Sequence, residues 1–169
     1  VVFLVILTAN RLIFLKMIIP FKTQLVDGSP SFFMERILAG FYPDMFPEFI
    51  PSIHVFRNSE KWVAGNTIHF TSGIATKDQF TFHACSCDGV QPVELGIDER
   101  HDFYVELLTG DFSHEQSRRS STDQLLLFAV NSGFNNFQQM VTDFFPRGRY
   151  SHYRPLRGQI VHWTSFRYQ

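Results

Sequence analysis

Residues 125–130 (LLLFAV) are apolar at every position, and the run stops at Asn131-Ser132-Gly133. An apolar run this short, closed by turn-forming residues, suits a strand buried on both faces, with Leu125, Leu127 and Ala129 on one side and Leu126, Phe128 and Val130 on the other. Gly133 takes a positive φ without a Cβ penalty, so Phe134 and Phe137 are expected to begin a returning strand, making the segment a tight hairpin. After Gly158 the chain turns extended again: Ile160, Val161, Trp163, Phe166 and Tyr168 supply β-branched and aromatic side chains suited to a half-buried pleated surface.

A chain of 169 residues is expected to form one domain. Phe accounts for 20 of them, spread over many short apolar runs, which leans toward a sheet-rich fold. The formal net charge is -1 with no basic block, which argues against nucleic acid as the partner, because phosphate binding needs concentrated Lys and Arg. The only cysteines, Cys85 and Cys87, would lie two apart on one strand face, a poor geometry for bridging each other. A disulfide framework is not expected, a reducing compartment is favoured, and a lone C-x-C has too few ligands for zinc. His83 has no second ligand at metal-binding spacing, so it is expected on a strand surface. No metal site and no cofactor are expected.

The N-terminal residues 1–19 form an apolar extension interrupted by Arg11 and Lys16. A membrane span is disfavoured because a charge near its centre is costly. A signal-peptide core without its basic region, and a start at Met17 that leaves residues 1–16 outside the domain, both stay open. Residues 31–40 (SFFMERILAG) have the pattern of a short amphipathic helix, and Pro43, Pro47 and Pro51 punctuate an aromatic loop after it. Residues 79–85 place Phe80, Phe82 and Ala84 on one strand face, and Phe103 to Leu108 form another strand. In VELGIDER, Val93, Leu95 and Ile97 point one way, and Glu94, Gly96, Asp98 and Arg100 the other.

The order of these features resembles a galectin carbohydrate-recognition domain. Phe128-Ala129-Val130-Asn131, Gly133 and Phe134 follow that family's F-x-V-x-V-N strand and Gly turn. Gly158-Gln159-Ile160 and Ser165 to Tyr168 follow its closing strand. The resemblance implies an all-β fold: an antiparallel jelly-roll β-sandwich over residues 20–169, with an insertion at about 28–62. It also implies a lectin for β-galactoside glycans or glycoproteins, with no catalysis, membrane contact only through glycans, and a homodimer as one allowed state. Its location would be cytoplasmic, or extracellular by non-classical export, with a signal peptide still open.

By family position, Asp98 and Arg100 would hydrogen-bond galactose, Phe112 would stack on its apolar face, and Glu115 would hold Arg100 in place. The family's second Arg corresponds to Arg118 displaced by one residue, or is replaced by Ser117. Phe112, Arg100 and Glu115 are thus expected on one concave face. Gly96 stands where the family has His, so Gly96→His is expected to strengthen binding. Two further departures weaken the match: Leu107 replaces an Asn, and only residues 119–124 separate the sugar motif from the FAVN segment, leaving a strand unaccounted for. An interaction module of this shape that binds protein rather than galactose is the alternative.

Overall fold

The computed structural model describes residues 17–74, 76–100, 102–109, 116–119, 121–145 and 155–169. Among these residues, eight strands and three α-helices follow one another as β1 (Met17–Phe21), α1 (Phe33–Phe41), β2 (His54–Arg57), β3 (Thr67–Ser72), β4 (Phe80–Ser86), β5 (Gly89–Ile97), β6 (Phe103–Thr109), β7 (Gln116–Arg119), α2 (Thr122–Asn131), α3 (Phe137–Phe144) and β8 (Leu156–His162). The strands form two sheets. The smaller has the order β1-β3-β4 and the larger β2-β8-β5-β6-β7. Pairing is antiparallel throughout the larger sheet, whereas β1 runs parallel to β3.

The expected all-β jelly roll is therefore incorrect: the fold mixes helices with a β-rich, two-sheet, sandwich-like body. The error sits in the LLLFAV segment, which is helical. Ser121 accepts the backbone N–H of Gln124, and the Gln124 side chain accepts the backbone N–H of Ser121, so a reciprocal cap starts α2. The buried positions of α2 include Phe128 and Ala129, while Leu126 and Leu127 are exposed, a helical rather than an alternating pattern. Gly133, at φ 90°, ends the helix, and its N–H donates to the Val130 carbonyl. Asn136 then caps α3 through its side-chain oxygen, so the expected hairpin is a helix–turn–helix. The strand that seemed to be missing is not needed, because one residue after β7 and the cap Ser121 the chain enters α2.

Two cores follow from this layering. On one face of the larger sheet, Val93, Leu95, Val105 and Ile160 pack against Phe128, Phe134 and Met140 of the α2–α3 region. On its other face, Val161 and Trp163 pack against Ile19, Ile68 and Phe70 of the smaller sheet. The amphipathic helix expected at residues 31–40 is present as α1. It joins both cores, Phe33 entering the first and Ile37 the second. Residues 28–62, set apart in the sequence as an insertion, thus supply α1 and β2 to the interior. Cys85 and Cys87 are free thiols, Cys87 buried and Cys85 half-buried, with burial pushing Cys85 up to about 12.

Candidate functional site

Asp98 and Arg100, two of the residues expected to hold galactose, fall at the β5–β6 end of the larger sheet. β5 ends at Ile97, so Asp98 and Arg100 lie in the turn to β6 rather than on a strand face. Asp98 Oδ1 accepts the backbone N–H of Arg100 at 2.9 Å and of Asp102 at 3.0 Å, which fixes a tight turn. Arg100 is exposed. Phe112 and Glu115 lie outside the described residues, as does the Arg118 side chain; the Arg118 backbone pairs with Leu107 on the edge strand β7. Gly96 is not open to solvent. A Cβ there would stand 2.4 Å from Cζ of Tyr104, whose hydroxyl donates to Glu94 Oε1 at 2.8 Å. Glu94 is also held by Arg157 Nε at 2.6 Å. Around Glu94 and Gly96 this face of β5 is thus a packed polar cluster, and a His at position 96 would displace Tyr104.

A different site emerges where the two sheets and the helices meet. A cleft of about 600 Å³ opens between the end of β1, the edge strand β2, the β3–β4 turn and the ends of α1 and α3. Phe21, Phe33, Phe56, Phe134 and Phe144 make it aromatic. β2 is the outer strand of its sheet, so both of its faces border the cleft: Phe56 from one side, Val55 and Arg57 from the other.

Arg57 is the group that gives this cleft chemistry. Its Nη2 donates to the Pro20 carbonyl at 2.9 Å, and its guanidinium carbon lies 5.7 Å from the centre of the Phe21 ring. Its Nε is buried without a hydrogen-bond partner. The residue as a whole is half-buried, yet burial pushes the guanidinium down to about 10, which still leaves it charged at neutral pH. Among the described residues no carboxylate is paired with Arg57. The other two charges of the cleft, Lys22 and Asp143, form an ion pair with each other, and Asp143 also accepts the Val26 N–H at 3.3 Å. Among the described residues, the cleft therefore carries one uncompensated positive charge in apolar surroundings.

Sequence reasoning passed over Arg57 because it follows the Pro-punctuated loop, inside the segment treated as an insertion. The available signal was the alternation His54-Val55-Phe56-Arg57, a strand pattern ending in a cation. No described helix is long and apolar enough to cross a membrane. No protein-family profile, curated protein or solved structure matches the chain.

Proposed function

We propose that this protein binds an amphipathic carboxylate, with the carboxylate on Arg57 and the apolar part among the cleft phenylalanines. The observation that carries this reading is the buried, unpartnered Nε of a charged Arg57 on the wall of an aromatic cleft. An uncompensated buried charge is destabilising, and a bound anion offsets that penalty with charge-assisted hydrogen bonds. Lys22 and Asp143 cancel each other, so a net charge of one favours a monoanion over a phosphate dianion. Clefts of this size, mostly apolar with few polar groups, suit ligands of drug or lipid scale.

The galactoside reading rests on Asp98, Arg100, Phe112, Glu115 and Arg118, and no described side-chain geometry favours it over the cleft. The two are separated by calorimetric titration with decanoate, decanol and lactose. Decanoate is expected to bind about 10-fold or more tightly than decanol, since a hydrogen bond to a charged group contributes about 1.5–3 kcal/mol. Arg57→Met should remove that preference while leaving the circular dichroism spectrum unchanged. Equal affinity for the acid and the alcohol would sink the proposal, and binding of lactose alone would restore the lectin.

A further inference from the structure

The aromatic cleft runs along the free edge of β2, the outer strand of the larger sheet. The ladder behind β2 fixes which of its peptide groups face that edge. Pro92 pairs with Gln159 in the middle of the β5–β8 ladder, one residue before the β5–β6 ladder begins at Val93. Proline has no N–H, so Pro92 turns its backbone toward β6, and its neighbours Gln91 and Val93 bond β8. The Asp88 N–H donates to the His162 carbonyl at 2.8 Å, and the Trp163 N–H donates to the Ile53 carbonyl at 3.4 Å. Both bonds give the same alternation: Ile160 and His162 face β5, whereas Gln159 and Val161 face β2. Val55 and Arg57, their register partners, therefore bond β8, and the N–H and C=O of Phe56 point away from it, along the cleft. Among the described residues neither group has a hydrogen-bond partner, although Phe56 is only 6% exposed. Buried backbone groups left unpaired are rare, because each costs about as much as a lost hydrogen bond.

Building on the carboxylate reading, we infer that the ligand of this cleft is the C-terminal end of an apolar polypeptide, bound as an added strand beside β2. A carboxylate alone would meet Arg57 and leave both Phe56 groups unpaired. An extended peptide supplies a carbonyl for the Phe56 N–H and an N–H for the Phe56 carbonyl. The alignment follows from the position of Arg57, one residue after Phe56. In a parallel arrangement, the ligand residue before the partner of Phe56 accepts the Phe56 N–H, and the residue after it donates to the Phe56 carbonyl. When that second residue is the last, its carboxylate stands beside Arg57. An antiparallel ligand would carry its carboxylate toward His54 instead.

The walls suit a strand as well. Side chains of an extended ligand alternate between the two faces of the sheet. The cleft is apolar on both: Phe134 and Phe144 line it on the helix side, and Phe21 lines it on the side of the smaller sheet. β2 is four residues long, so the added strand pairs over about three residues. A volume of about 600 Å³ lies within the range that small ligands fill.

The test titrates the full chain with the tripeptide acetyl-valyl-alanyl-valine as its free acid, followed by calorimetry and by the amide resonance of Phe56. The acid is expected to bind and to move the Phe56 amide proton downfield, as a new hydrogen bond does. Methylating the nitrogen of the last residue removes the N–H that meets the Phe56 carbonyl and should weaken binding about 3–10-fold. Methylating the middle nitrogen, which points away from β2, should leave affinity nearly unchanged. The C-terminal amide should bind at least about 10-fold more weakly than the acid, because it gives Arg57 no charge to meet. Decanoate separates the two ways of failing. Binding of decanoate that Arg57→Met abolishes, with no binding of the tripeptide or with equal effects of the two methylations, would overturn the added strand and leave the carboxylate reading standing. Failure of both ligands to bind in an Arg57-dependent way would overturn both.

Discussion

Arg57 and Arg100 are the same side chain in opposite solvents. Arg100 stands in the turn after β5, exposed to water, where its backbone N–H matters to the Asp98 turn. Arg57 ends an edge strand inside an aromatic cleft, with its Nε covered. Water screens the first charge, so its interactions with neighbours and ligands are weak. The low-polarity surroundings of the second make every electrostatic contact stronger, and make the absence of one expensive. Residue type and spacing drew attention to Arg100. The environment, which only the fold supplies, makes Arg57 the better candidate for binding.

Four substitutions break or sharpen this contrast. The largest effect belongs to the cleft wall: Phe134→Ala should destabilise by about 3–5 kcal/mol, because Phe134 is buried against Phe33 and Phe144. Urea unfolding measures it, and a loss below about 1 kcal/mol would mean that the wall is not a packed structure. Gly96→His comes next. Displacing Tyr104 should destabilise by about 1–3 kcal/mol, the usual range for overpacking, with a lowered thermal midpoint. A variant as stable as wild type would reopen that face as a sugar groove.

Arg57→Lys is subtler. It keeps the charge and loses the planar fork, so decanoate affinity should fall about 3–10-fold, less than for Arg57→Met. Equal losses for the two variants would show that fork geometry, not charge, dominates. Arg100→Ala should change both stability and decanoate affinity least, by under about 0.5 kcal/mol. A larger change in binding would mean that the turn reaches the ligand.

Much of the sheet was legible because its strands alternate. Residues 79–85 and Phe103 to Leu108 lie close to β4 and β6 as found, since half-buried strands show their period. The LLLFAV segment was misread because six consecutive apolar residues fit a buried strand and a helix turn equally well. The cue that separates the two lies upstream, in the Ser121-x-x-Gln124 cap, and downstream in Gly133 at a helix end. The site was illegible for another reason. Asp98 and Arg100 continue the alternation of β5, yet Asp98 captures two backbone N–H groups and stops the strand. Arg57 becomes informative only once Phe21, Phe33 and Phe134, distant in the chain, close around it.

The position of β8 has a consequence for how this chain is made. Although last in sequence among the strands, it lies inside the larger sheet, pairing β2 on one side and β5 on the other. Until Leu156–His162 leaves the ribosome, β2 has no neighbour in that sheet and β5 keeps one edge open. The β5–β6–β7 meander can form early from local pairings, whereas β2 must wait for a partner about a hundred residues downstream. Late closure of so long a loop predicts slow folding and a nascent chain that depends on chaperones to shield its open edges.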